Sequence, residues 1–352
     1  MRFIKKFDSF LIKEAAGLAE ATLIYSDYIM SLINTHFDSF INSNLQKYNK
    51  KEIIDLKSVK QIINDPKWID MPVSSIEITF DFVIKNSLDF AKEFPVTSKL
   101  KEFTTTGSCF SIQQEKGEDS SYFVEPIDER TDHSIHLGLE IGCIMTDKLD
   151  EYDELFLELE ATVLHELNHA YEGYRRFLSG AGQLSTDVTW ALEANRSRIK
   201  KEIFKIWKKE IGYTVYWSEK HEMNAMVQES WPYVKKYEPT ELKDKCPSWR
   251  FAQEMKNFDA SKVKKLLVDE ILKHYPDVNP NILLNRMKNG FANELSKERQ
   301  ESVLASEEAP SLSGEKIRNM NFDKFLSTMQ KRINLAGERI QSKILRLYSL
   351  KK

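Results

Sequence analysis

The residues of this chain best placed to do chemistry are His165, Glu166 and His169, in the run His165-Glu166-Leu167-Asn168-His169. Residues 151–177 read as a single helix around them. Side chains four apart on a helix stand one above the other on the same face. Both imidazoles can therefore reach one metal ion, and Glu166 can reach a water on that metal. Three protein ligands and one open position are what a hydrolytic zinc needs. With zinc lowering the pKa of its water to roughly 7, Glu166 is the expected general base and the later proton donor to a leaving amine.

The third ligand has to come from another element. Glu222, in Trp217-Ser218-Glu219-Lys220-His221-Glu222-Met223-Asn224-Ala225, is the first choice, because it sits near a helix start and Ala225 one turn on permits close approach. His221 competes with it; Glu219 and Glu229 are weaker options. The oxyanion of a tetrahedral intermediate needs a donor beside the metal. Tyr216 is preferred for that role over Tyr213 and His221. Glu172 or Asn168 are the candidates to hold the ligand histidines from behind.

The elements that must position these groups can be read from periodicity. Residues 3–49 are helical in pattern, with Phe3, Ile4, Phe7, Phe10, Leu11 and Ala15, then Ile24, Tyr28, Leu32, Ile33 and Phe37. A docked helical hairpin explains them better than a membrane-surface helix, since both charge signs share the polar face. Lys50 to Asn64 continues in a polar, helical mode. Alternation in 75–84, a β-branched stretch in 104–112 and alternation again in 134–144 predict a small antiparallel or mixed sheet over about 74–146. The active-site helix follows, with Phe156, Leu159, Val163, Leu167, Ala170 and Tyr174 as its buried stripe. Residues 186–209 predict another helix with a basic, solvated side, 211–217 a short extended or turn segment, and 218–236 a helix broken near Pro232. This yields a helical N-terminal extension (1–73), a central domain (74–236), a helical region (237–304), a linker (305–320) and an amphipathic C-terminal helix (321–352).

The strand from Ile135 to Ile144, the helix with His165-Glu166-x-x-His169 and the downstream Glu222-x-x-Ala225 together resemble the zincin superfamily in its glutamate-ligand, gluzincin-like form. The likeness covers about 74–236. It implies an α+β fold, a zincin-like domain with an active-site helix flanked by helical extensions, Zn2+ on His165, His169 and Glu222, and hydrolysis of a peptide or protein substrate. It also implies that the Ile135 to Ile144 strand is a cleft-bordering edge that takes extended peptide by strand addition. Two departures stand out: the gap from His169 to Glu222 is longer than in thermolysin-like enzymes, and Met226 stands where an acidic residue often follows the third ligand by four. The metzincin pattern is absent, because Ala170 to Arg176 holds no further histidine.

Composition narrows the remaining classes. With 352 residues, 41% hydrophobic and 30% charged, the chain has ample core material. Its net charge of -3 offers no basic excess for a phosphate backbone, so nucleic acid is not an expected partner. No signal peptide or membrane span is read from the sequence, and three scattered cysteines suggest free thiols in a reducing compartment. A cytoplasmic location is expected, with association with a virion as the other setting. The alternative to a peptidase is a structural or assembly protein, for instance of a phage particle, built on a zincin-like domain and using its helical extensions for assembly. His36, His133, His136 and His274 read as ordinary structural residues, the cysteines as buried small hydrophobes, and Trp190, Trp207, Trp217 and Trp231 as core.

Overall fold

The computed structural model describes residues 19–95, 101–111, 124–125, 134–150, 152–178, 195–297 and 313–351. The expected helix around Phe3 to Ala15, His133, Trp190 and residues 305–312 of the linker lie outside these. The protein is α+β and divides into two compact units. One comprises residues 1–183, 225–242 and 346–352, the other 184–224 and 243–345. Among the described residues no helix is long and apolar enough to cross a membrane.

The first unit is built on a mixed sheet. Strands β1 (Lys47–Asp55), β2 (Val73–Lys85), β3 (Phe103–Ser111), β4 (Val124–Glu125) and β5 (Ser134–Thr146) are arranged in the order β1-β2-β5-β3, with β4 also on β5. The β2–β5 pair is parallel and the others are antiparallel. Register places like with like: Ile76, Ile78 and Phe80 stand opposite Leu137, Leu139 and Ile141, and all are buried. Because strand side chains alternate, this is one apolar face. The other face is polar, with Lys51 2.5 Å from Glu77 and Ser108 donating to Glu140.

Two helices cover the apolar face. Helix α1 (Glu20–Asn42) buries Tyr25, Ile29, Ile33, Phe37 and Phe40. The long helix that carries the histidines (Asp153–Leu178) buries Leu155, Leu159, Val163, Leu167, Ala170 and Tyr174 in the same cluster. Phe37 joins them, edge-on to Phe82 at 5.6 Å and to Phe156 at 5.1 Å. His36 is structural, as expected: it stacks on Phe80 at 4.1 Å, and its Nδ1 lies 2.6 Å from the Tyr48 hydroxyl. The Tyr25 hydroxyl donates to the Met71 carbonyl and accepts from Val73 N, tying α1 to the start of β2.

Three expectations are corrected here. Lys50 to Asp55 is strand, not helix; only the four-residue α2 (Lys60–Ile63) is helical beyond it, apart from short 3-10 turns. Lysine and glutamate favour helix weakly, but Tyr48, Lys50, Glu52 and Ile54 pair opposite Phe82, Phe80, Ile78 and Ile76, and an edge strand tolerates charge. The strand from Ile135 to Ile144 is not an edge. As β5 it is bonded on one side by β2 and on the other by β3 and β4; among the described residues β3 is the edge on that side. Third, of the expected series Ile24, Tyr28, Leu32, Ile33 and Phe37 only Ile33 and Phe37 are fully buried; Tyr25 and Ile29 join them, while Ile24, Tyr28 and Leu32 are partly buried.

After the short α3 (Ser87–Glu93) and the histidine helix, here α4, the described chain resumes at Asn195. Helix α5 (Lys201–Trp207) passes through a π-turn (Lys208–Gly212) into α6 (Tyr213–Tyr216), so 211–216 is helical where an extended or turn segment was expected. Helix α7 (Lys220–Glu229) and α8 (Trp231–Lys236) follow, breaking at Ser230 just before Pro232. Then come α9 (Pro239–Lys245), α10 (Pro247–Lys256), α11 (Ala260–His274), α12 (Pro280–Lys297), α13 (Gly314–Arg318) and α14 (Phe322–Leu347). The second unit packs around Trp207, which is fully buried and lies 6.4 to 6.5 Å from the rings of Phe291, Phe322 and Phe325. Lys288 is buried there and donates to the carbonyls of Ile317 and Arg318, closing the end of α13.

Candidate metal centre

Helix α4 turns its apolar stripe to the sheet and sets His165, Glu166 and His169 beside that stripe, each partly exposed. The neighbouring α7 is held by buried polar contacts in the first unit. Gln228, fully buried, accepts from Ala19 N at 2.8 Å and donates to Ala19 O, satisfying the start of α1. One residue on, Glu229 Oε2 lies 2.6 Å from His165 Nδ1. Lys235 on α8 pairs with Glu160 on α4 at 2.6 Å.

The Glu229 contact decides the chemistry of His165. A carboxylate only accepts, so Nδ1 carries the hydrogen, and in a neutral ring the lone pair is then on Nε2. That Nε2 lies 3.0 Å from Nε2 of His169. Two nitrogens bound to one tetrahedral zinc at about 2.0–2.1 Å would stand about 3.3 Å apart, so the pair is already close to ligand spacing.

Helix α7 counts with the second unit up to Asn224 and with the first from Ala225. Glu222 is seven residues before Glu229, nearly two full turns, and so lies on the same face of this helix. His165, His169 and Glu222 each offer one ligand atom, and these atoms all lie within 4.8 Å of one another. Two imidazole nitrogens and a carboxylate oxygen are a donor set that fits a borderline-soft divalent ion.

Glu222 is only 1% exposed. His221, its sequence neighbour, stands between two carboxylates: Nε2 is 3.3 Å from Glu222 Oε1 and Nδ1 is 3.4 Å from Glu219 Oε2. Tyr216 packs edge-on against Trp217 at 5.2 Å and against His221 at 6.4 Å. The expected alternatives thus have distinct places. Glu229 sits behind His165, where Glu172 or Asn168 had been expected. His221 and Glu219 sit beside Glu222. Asn168 is buried against the core instead, with Nδ2 unsatisfied among the described residues.

The sequence reading also missed the wall next to Glu166. Strand β3 is fastened along α4: Thr105 Oγ1 lies 3.0 Å from Thr162 Oγ1 and donates to Glu158, and Lys101 pairs with Glu158. Gly107, opposite Ile141, therefore lies on the helix-bearing side of β3. A Cβ there would stand 2.5 Å from Thr162 Cγ2, 3.0 Å from Glu166 Cγ and 3.1 Å from Glu166 Oε1. Only glycine lets the edge strand run this close to Glu166. A glycine within a β-branched stretch was the signal for this approach, as the seven-residue spacing of Glu222 and Glu229 was for a shared face.

His136, the other histidine of this region, is held by Ser75 at 2.6 Å. Cys143 and Cys246 are buried, where the sequence predicted buried small hydrophobes, and Cys109 is only half-buried. Comparison of the chain with protein-family models, with curated proteins and with solved structures gave no match.

Proposed function

We propose that the protein is a zinc metallopeptidase of the zincin type in its glutamate-ligand form, hydrolysing peptide bonds. The observation that carries this reading is the convergence of His165, His169 and Glu222 within 4.8 Å, with Glu166 on the same helix as the two histidines. His165, His169 and Glu222 would hold the ion. Zinc bound there supplies Lewis acidity, making a water nucleophilic near neutral pH and polarising the scissile carbonyl.

The chain's own groups do the rest. Glu166 takes the proton from the attacking water and returns it to the leaving amine. Glu229 keeps the His165 ring oriented and, in the neutral ring, leaves the lone pair on Nε2. Tyr216, beside His221, is the donor assigned to the developing oxyanion. The edge that β3 forms among the described residues, rather than β5, is the strand to which an extended substrate would add, by main-chain hydrogen bonds next to Glu166.

The test is metal content by elemental analysis together with peptide cleavage by wild type and Glu166→Gln. One zinc per chain in both, with cleavage only in wild type, supports the proposal. Absence of zinc, or cleavage unchanged in Glu166→Gln, refutes it. Zinc without cleavage in the wild type points instead to an interaction or assembly role for the same domain.

A further inference from the structure

Helix α14 carries a buried arginine that the chemistry above does not use. Arg332 is 2% exposed and its Nε donates to Ser218 Oγ at 3.4 Å. Ser218 Oγ in turn donates to the Val215 carbonyl, fixing the turn that leads into α7. Burial pulls Arg332 below the usual guanidinium range, and the charge of Glu219 opposes that pull. Glu219, 1% exposed, is the carboxylate that faces His221 Nδ1, while His221 Nε2 faces Glu222. A second tie from α14 reaches the same stretch: Lys343 Nζ donates to Asn224 Oδ1 at 2.9 Å.

Glu219 and Glu222 are two buried carboxylates within one turn of chain. Isolated buried charges are strongly unfavourable unless paired. Arg332, hydrogen-bonded to Ser218 next to Glu219, is the buried cation whose charge acts on Glu219. That leaves Glu219 fixed against His221, and leaves the His221 ring fixed against one oxygen of Glu222. The geometry points to a relay, Arg332–Glu219–His221, in which Arg332 is a positioning residue for the Glu222 carboxylate as a metal ligand. Glu222 is then oriented from the C-terminal helix, more than a hundred residues away in sequence. This rests on the zinc reading of the site. Partners behind a ligand typically change metal affinity by about 10–100-fold when removed.

The experiment measures zinc affinity of the full-length protein by competition with a chromophoric chelator, the visible spectrum of the cobalt-loaded protein, and thermal unfolding without metal. The variants are Arg332→Met, Arg332→Lys, Glu219→Gln, Glu222→Gln and the double variant Arg332→Met/Glu222→Gln. Arg332→Met and Glu219→Gln are expected to weaken zinc at least tenfold and to alter the cobalt spectrum, with Arg332→Lys recovering most of the affinity. The double variant is expected to bind no more weakly than Glu222→Gln alone, because the relay acts through Glu222. Wild-type affinity and spectrum in Arg332→Met overturn the inference. If Arg332→Met fails to unfold cooperatively, Glu219→Gln decides: weakened zinc supports the relay, unchanged zinc overturns it. A wild-type protein that takes up no zinc overturns the site reading itself. Zinc lost in Glu222→Gln but kept by the Arg332 and Glu219 variants overturns the relay alone.

Discussion

Glu229 Oε2 lies 2.6 Å from Nδ1 of His165, on the side of the ring opposite the nitrogen that meets His169. The contact fixes both the ring plane and the tautomer of the neutral ring, so under the proposed zinc reading it bears on metal binding as well as on the fold. Glu229→Ala is expected to weaken zinc by about 10–100-fold. Glu229→Gln, whose amide oxygen still accepts from Nδ1, is expected to lose less. Chelator competition on the two variants checks this; equal affinity in wild type and Glu229→Ala would count against it.

Gly107 separates substrate geometry from metal geometry. A methyl group at this position meets Thr162 and Glu166, and both belong to a helix locked into the core, so the edge strand must give way. Gly107→Ala is expected to reduce peptide cleavage by about 100-fold, the scale on which small misplacements act. Zinc affinity should stay within about twofold, since no ligand touches the new methyl. A parallel loss of zinc would show that β3 supports the histidines instead.

The part of the site that sequence makes legible is the part set by local spacing. Residues 165 and 169 share a helix face whatever surrounds them, and Glu222 follows from its position near a helix start. What was not legible depends on neighbours. Alternation in Ile135 to Ile144 reveals two faces of a strand, but it cannot tell whether a strand lies on each side, so a central strand passed for an edge. Tyr48 to Asp55 was hidden because its charged residues suit an exposed helix as well as a sheet edge. In α1, residues 24, 28 and 32 and residues 25, 29 and 33 are both mainly apolar series, and only packing into the shared core buries the second fully. Glu229 was read only as a weaker ligand option; its place behind His165 depends on how α7 packs on α4, which spacing within one helix does not give.

Cys143 predicts a loss of stability at alkaline pH. Burial, and secondarily the charge of Asp81, raise its thiol from 9.0 to about 12. A raised folded value means that the unfolded chain releases this proton first. The stabilisation is therefore complete below about pH 9 and is lost progressively as pH rises from there towards 12. Melting temperatures between pH 8 and 9.8 are expected to fall in wild type and to fall less steeply in Cys143→Ala, the raised tyrosines Tyr25, Tyr48 and Tyr174 contributing equally to both. The mutant's lower starting stability, from the small cavity, does not affect that comparison of slopes. Identical slopes would remove Cys143 from the account.

Metal should also appear in the stability of the chain. A ligand that binds only the folded state adds about 2.7 kcal/mol at a hundredfold excess over its Kd. For a unit of roughly 200 residues that is a rise of about 5–10 °C in Tm. Wild type is expected to show this rise on adding zinc after chelator treatment, and His169→Ala and Glu222→Gln are expected to show little of it. Glu166→Gln is the informative control, because Glu166 shares the helix and the face but is assigned no bond to the ion. It should keep the whole zinc-dependent rise while losing cleavage. If Glu166→Gln loses the rise as well, Glu166 is a ligand rather than the base, and the assignment of proton transfer to it fails.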